Sequence, residues 1–394
     1  MQPFRKLTSL MCVLALTLAM SCFPAAAETA DFAGGSGTAA DPYQVATAEQ
    51  LDAVRNDMTA CYVLTADVDL SSVENWTPIG WFDFTATDEA GYYANGFAGT
   101  FDGDGHTISN LTSSQPEGVG VSLFGLTTSE GAVRNLTVEN AVVEGYMAVG
   151  GIIGYHCGMA ENLTLKGENA ISGINCTGGI AGGSDFGVIQ NCTVESATVN
   201  VLGDNDFSDG PIVQADVAEC GGLIVGGGFG GTVENCDARG EIVAVGSEPI
   251  GLGGIGGCLE YMDSVRNCTV DVTITAPQSA HAVGGLCGYA GTGDAEQPTE
   301  IRGCTIRFAM DVPGATHIGG VVGTGLYFMG IETVYDVADC DVEGAFSGAV
   351  TPGAIAGRAE GCTIGDNAAN VTLDGETLTN AIGETDRMYE SADQ

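Results

Sequence analysis

Basic residues are scarce in this chain: 11 Lys and Arg stand against 51 Asp and Glu, a formal charge of −40. A surface this acidic repels nucleic acid and anionic lipid, and it disfavours anionic polysaccharides. Histidine is limited to His106, His156, His281 and His317, scattered and without HExxH spacing, which removes the metalloprotease signatures. No GxSxG elbow, P-loop or strand–helix dinucleotide fingerprint occurs. Past the first residues no apolar run approaches the ~20 needed to span a bilayer. Proline numbers only 11. The cysteines carry no CxxC and have no histidine at matching spacing, which argues against a zinc site.

The opening residues read as a secretory signal peptide over 1–27. Arg5 and Lys6 precede the apolar stretch "LMCVLALTLAM" (10–20), and Ala25, Ala26 and Ala27 provide small residues before a polar start. Cleavage is expected after Ala27, leaving 9 − 51 = −42 formal charges and Lys166 as the sole lysine. Cys22 offers a lipoprotein alternative, although Met20 fits a lipobox poorly. The end, "GETDRMYESADQ", has no cell-wall sorting pattern. An exported, soluble protein without a stable membrane span is the expectation.

Glycine is abundant at 61 residues, and 44% of the chain is hydrophobic, so a packed fold rather than a disordered polymer is expected. The dominant feature is a repeat. "IQNCTV" (189–194), "VENCDA" (233–238), "VRNCTV" (265–270), "IRGCTI" (301–306), "VADCDV" (337–342) and "AEGCTI" (359–364) share one frame. "TISNLTS" (107–113), "VRNLTV" (133–138) and "AENLTL" (160–165) fit it with Leu111, Leu136 and Leu163 at the cysteine position. The intervals run 25, 27, 29, 44, 32, 36, 36 and 22 residues. Asn110, Asn135, Asn162, Asn191, Asn235 and Asn267 recur just before that position. Gly303, Asp339 and Gly361 replace them, and all three residue types tolerate a left-handed bend. A glycine clip usually precedes each hexad: "VGGIIG" (149–154), "TGGIAG" (177–182), "CGGLIVG" (220–226), "LGGIGG" (252–257), "VGGLCG" (283–288), "IGGVVG" (318–323) and "PGAIAG" (352–357). Short strands, tight turns and no helix per repeat define a β-solenoid in which like positions stack about 4.8 Å apart.

Leu and Cys trade places in this frame, and Leu can neither ligate a metal nor attack a carbonyl. A buried thiol ladder is therefore the leading reading of the cysteines. Disulfides are the alternative in an oxidising compartment, with the 16-residue spacings Cys176/Cys192 and Cys220/Cys236 hinting at pairing within a repeat. Cys61, Cys157, Cys176, Cys220, Cys258 and Cys287 lie outside the ladder and out of phase with the clips.

Residues 28–96 read as an N-terminal cap, 97–372 as the repeats and 373–394 as a polar tail. Thr47 with Gln50 forms a capping box opening a short helix near 48–56, placed to cover the solenoid's open end. The constellation "GTAADPYQVATAEQL…YVLTADVDLS…WTPIG…FAGTFDGDGHTISNLT…LFG" resembles the start of secreted bacterial proteins carrying the GLUG motif, and the later clips resemble that motif itself. The resemblance spans roughly residues 34–365. It implies an all-β, right-handed parallel β-helix displayed outside the cell, often in adhesin-like surface proteins and sometimes beside protease domains. It supplies no catalytic residues to carry over.

Two chemical possibilities remain. "DNDFSDG" (204–210) presents Asp204, Asp206, Ser208 and Asp209 as oxygen ligands and is similar to a calcium-loop opening, with Asp209 in place of the glycine and Ala215 in place of the bidentate Glu. Ca2+ is the one cofactor considered, and a solvated loop competes with it. Paired carboxylates could serve a glycosidase or lyase, but so few cations argue against anionic substrates. The long loops near 200–218, 290–300 and 324–336, and the aromatics Trp76, Trp81, Tyr92, Tyr93, Phe97, Tyr327 and Phe328, could stack on neutral sugars or dock a protein; capping the solenoid is the plainer role. The expected function is a non-catalytic, exported, adhesin-like binding or scaffold protein, its ligand a glycan or a host or environmental protein. The rivals are a carbohydrate-active β-helix enzyme and a structural spacer.

Overall fold

The computed structural model describes residues 32–203, 219–245, 251–276, 280–294, 296–325, 333–359 and 361–384. The expected signal peptide with Cys22, the candidate calcium residues Asp204, Asp206 and Asp209, and Tyr327 and Phe328 lie outside them.

The chain winds as a parallel β-helix. Its strands form one 29-stranded and one 9-stranded sheet, neither closed into a barrel. Every pairing between named strands is parallel except a terminal hairpin, Thr372↔Thr377. Four stacks of strands recur. Ladder A precedes the Asn bend and runs from Tyr43–Val45 and Cys61–Leu64 through Ser264–Arg266 to Thr363–Ile364. Ladder B follows the bend, as in Thr269–Thr275 and Thr305–Asp311. Ladder C leads into the glycine clip, as in His281–Gly284 and Thr316–Gly319. Ladder D leaves the clip and is the 9-stranded sheet, from Phe124–Thr127 to Ile382–Glu384. The ladder begins within the stretch expected as a cap, since Tyr43–Val45 and Cys61–Leu64 are its first two rungs.

Three sequence features make the coil. The first is the bend. Asn135, Asn162, Asn191, Asn235, Asn267, Gly303 and Asp339 all have positive φ, between 52° and 65°. Their side chains also link coils: Asn162 Nδ2 donates to Asn135 Oδ1 at 2.9 Å, and Asn267 Nδ2 to Asn235 Oδ1 at 3.3 Å. The second is strict alternation, so that Thr269–Thr275 buries every second side chain. Val133, Ile189, Val233, Val265, Ile301 and Val337 then fill the lumen at 0–1% exposure. The third is the clip. A Cβ on Gly319 would stand 2.1 Å from the Val322 carbonyl oxygen, and one on Gly178 2.0 Å from that of Ala181. The clip's last glycine meets a neighbouring backbone: a Cβ on Gly226 would lie 2.3 Å from Thr177 N. Glycine is required there by close backbone approach, not by φ.

The register corrects two members of the expected frame. Ile108 pairs with Val138, so Asn110 and Leu111 stand level with Asn140 and Ala141, at the next bend. The Asp-Gly turn at Asp104–Gly105 holds the place of Asn135's bend, Gly105 N donating to Asn135 O at 2.9 Å. At the other end Asp341 pairs with Ala368, and Asp336 with Thr363. Asn367, not Cys362, therefore stacks on Cys340, and Cys362 stands beside Tyr335. The short final interval of 22 becomes 367 − 340 = 27. Matching one hexad finds any apolar stretch with a bend, whereas hydrogen bonding to the preceding coil decides which bend is which.

The N-terminal helix Ala48–Ala53, continued by a 3-10 turn Val54–Asn56, forms where the capping box placed it. Gln50 N donates to Thr47 Oγ1 at 3.3 Å, and Ala46 N donates to Gln50 Oε1 at 2.8 Å. Leu51 and Val54 are fully buried over the first coil, above the ring stack of Tyr43, Tyr62, Phe97, Phe101 and Phe124. Trp76 is buried and donates to Leu123 O at 3.0 Å. Trp76 and Phe97 are thus core residues rather than exposed platforms, and Tyr92 packs under Phe82 and Tyr93.

Candidate functional site

The cysteine ladder is structural. Cys192, Cys236, Cys268, Cys304 and Cys340 stack in register and are buried to 0–2% exposure. Each Sγ donates to the carbonyl two residues back across its bend, at 3.3–3.5 Å. In the last coil Asn367 takes over, donating to Gly365 O at 3.0 Å. A hydrogen bond with Cys268, with burial added, pushes the Cys304 thiol up to about 12. Cys236, Cys268, Cys304 and Cys340, all with raised thiol pKa, are poor nucleophiles. All twelve described cysteines are free thiols. The within-repeat pairs Cys176/Cys192 and Cys220/Cys236 do not form. Cys192 and Cys236 belong to the main core, while Cys176 and Cys220 lie with Cys258, Ala282 and Tyr289 in a separate cluster against ladder D. Three of the off-ladder cysteines therefore do meet, although they carry no shared sequence frame.

The histidines have structural partners. His156 is fully buried, 2.9 Å from Thr127 Oγ1, and its Nε2 donates to Val188 O at 3.2 Å. Burial lowers its pKa to about 4, so it is neutral. His106 faces Asp67 at 3.1 Å and His281 faces Thr316 at 2.9 Å. Among the described residues, no group of three or more His, Cys, Asp or Glu is placed to hold a metal.

The outer faces show where the charge goes. Arg134 pairs with Asp102 at 2.9 Å, Arg302 with Asp336 at 3.5 Å, and Arg307 with Glu343 at 2.7 Å, while Arg266 meets Glu300. Each of these pairs joins one coil to its neighbour. These four arginines are thus committed to acids of adjacent coils, whereas Arg55 and Arg239 pair with Asp52 and Asp237 of their own segments. A shallow polar depression beside the first bends is lined by Asp104, Gly105, Asn135, Thr137, Asn162 and Thr164.

One surface feature departs from this pattern. Phe186 and Tyr261 are 49% and 37% exposed. Asp185 pairs with Phe229, and Phe229 with Glu260, so Phe186, Gly230 and Tyr261 stand level at the end of ladder D on three successive coils. All three have positive φ, at 53°, 68° and 53°. Phe229 fills the step at Gly230. Its ring centroid lies 5.7 Å from that of Phe186 and 5.0 Å from that of Tyr261. Gly230 keeps the row open, because a Cβ there would reach 2.5 Å from the Phe186 ring. A bulky residue in the left-handed region costs about 1–2 kcal/mol, and both rings stay partly exposed. Phe186 and Tyr261, with Phe229 between them, are the candidate contact surface of the described residues. The sequence carries the signal, an aromatic six or seven residues before Cys192, Cys236 and Cys268, but it is masked by the variable glycine strings around it.

The fold and this surface define a glycine-clipped parallel β-helix. Residues 249–275 match the family model described as the GLUG motif, so the chain carries that motif. Halomucin of Haloquadratum walsbyi is 36% identical over 173 residues, which are 42% of this chain and 2% of that protein. A protein named as a Gly-rich membrane protein, from Evansella cellulosilytica, is 32% identical over 165 residues, 41% of this chain and 18% of that protein. The chain thus spans a small part of the curated relatives it matches. A crystal structure titled as an immunoglobulin A1 protease from Bacteroides ovatus aligns over 90% of this chain and 87% of its own, at 21% identity and a TM-score of 0.49. Another titled IgA1 protease aligns over 84% of this chain and 22% of its own, at 15% identity and a TM-score of 0.44. At these values the two likenesses add nothing to the architecture read from the strand register.

Proposed function

We propose that the protein is an exported, surface-associated binding or scaffold protein, adhesin-like and non-catalytic, that holds a neutral glycan against Phe186, Phe229 and Tyr261. The observation that carries this reading is the row of rings on three consecutive coils, Phe186 and Tyr261 exposed and at positive φ with the half-buried Phe229 between them. The ring centroids step by 5.7 and 5.0 Å from coil to coil, a spacing comparable with one sugar of an extended chain. Aromatic faces take the apolar face of a pyranose, and the acidic surroundings select against anionic polymers. The GLUG motif and relatives named as a mucin and as a membrane protein support a surface role. The test is retention of the purified protein on immobilised neutral and acidic polysaccharides. Saturable retention on a neutral glycan, lost with Phe186→Ala plus Tyr261→Ala in a variant of unchanged circular dichroism, supports the reading. Unchanged retention in that variant moves the site elsewhere. Release of shortened glycans would instead establish the carbohydrate-active enzyme.

A further inference from the structure

We propose that Cys176 and Cys220 form a disulfide that fastens two adjacent coils at the edge of ladder C, leaving Cys258 as the reduced neighbour. Thr177 pairs with Gly221, so the two cysteines are direct neighbours on consecutive coils. Adjacent strands lie 4.7–4.9 Å apart, inside the 4.4–6.8 Å Cα window that a disulfide accepts. Their sulfurs are already 3.4 Å apart. Cys258 reaches the same cluster from the facing sheet rather than from the neighbouring rung, which makes it the poorer partner.

The cluster differs from the lumenal ladder in two ways that matter to oxidation. It is packed apart from the main core, and Cys176 is half-buried where the lumenal thiols are fully buried. The lumenal thiols are sealed and aim at carbonyls. The link also spans 44 residues of sequence, so it constrains the unfolded chain considerably in the loop-entropy account.

The oxidant is a small-molecule disulfide. The Cys176 thiolate attacks one of its sulfurs, forming a mixed disulfide and releasing one small thiolate. The Cys220 thiolate then attacks the Cys176 sulfur, forming the intramolecular bond and releasing the second. The two protons lost by the cysteines end on the two released thiols, and the small disulfide is reduced by two electrons. Both cysteines are held protonated, Cys176 chiefly by its hydrogen bond with Cys220 and by burial, so the rate climbs roughly tenfold per pH unit.

The test is independent of glycan binding. The full-length mature protein is incubated with glutathione disulfide at several pH values, alkylated in denaturant without reductant, and mapped by peptide mass spectrometry. The expected result is loss of two hydrogens, a fall from twelve alkylated cysteines to 12 − 2 = 10, and a peptide joining Cys176 to Cys220. Cys258→Ser keeps that peptide and Cys176→Ser abolishes it. Twelve alkylated cysteines at every pH would overturn the proposal, as would a cross-link between Cys220 and Cys258. The wild-type map decides alone if a variant fails to fold.

Discussion

The Cys268 thiol donates to the Arg266 carbonyl 3.3 Å away, reaching back across the left-handed bend at Asn267. The same pairing recurs at Cys192, Cys236, Cys304 and Cys340, and Asn367 repeats it with an amide. Cysteine is used here as a small buried side chain with one weak donor. Leu136 and Leu163 occupy the same place in the preceding two coils without that bond.

The bend itself is testable. Asn267→Ala keeps the strand flanks but forces a β-carbon residue without a local hydrogen-bonding group into φ 53°. It should cost about 1–2 kcal/mol, while Asn267→Gly should cost clearly less, as Gly303 already serves one coil on. Urea unfolding of the three proteins checks the order; equal stabilities for Ala and Gly would contradict it.

Much of this was legible in the sequence. The Asn bends, the glycine clips and the capping box at Thr47 and Gln50 all stand as the residues indicate. What was not legible is register. Leu111 and Cys362 match the hexad but belong to other positions, because coil-to-coil hydrogen bonding, not local pattern, sets the frame. The Cys176, Cys220 and Cys258 cluster was hidden for the same reason, since it joins ladders C and D across the coil. Phe186, Phe229 and Tyr261 differ in phase by one residue and align only once Phe229 is seen to fill the step at Gly230.

The clip glycines should be intolerant. Gly319→Ala places a Cβ 2.1 Å from a backbone oxygen that cannot move without breaking the turn. A loss above about 3 kcal/mol, or failure to fold, is expected. Gly314 has φ +78° with nothing within 4 Å, so Gly314→Ala should cost only about 1–2 kcal/mol. Soluble yield and thermal melts separate the two.

The buried His156 sets an acid limit. Its pKa falls from 6.5 in the unfolded chain to about 4 in the fold. Between those values the unfolded state holds the extra proton, so stability is complete above pH 6.5 and falls as the pH drops toward 4. At 1.36 kcal/mol per unit the loss is on the order of 3 kcal/mol. His156→Gln, which cannot ionise, should show a shallower decline over that window than wild type in melts taken at each pH. Parallel curves would contradict the assignment.

The lumenal thiols should be silent in the native state. Iodoacetamide at pH 8 should leave Cys192, Cys236, Cys268, Cys304 and Cys340 unmodified until denaturant is added, because burial denies the reagent access. Peptide mass spectrometry reads each position, and native labelling of any two would contradict a sealed ladder.

The central claim is that the ring row binds a neutral glycan without cleaving it. The most direct measurement is isothermal titration of the mature protein with soluble neutral oligosaccharides, followed by mass spectrometry of the recovered sugar. The account predicts saturable binding that falls at least tenfold in Phe186→Ala plus Tyr261→Ala, about 1.4 kcal/mol, with the sugar recovered intact. Binding unaffected by the double substitution, or sugar recovered in shortened form, would contradict it.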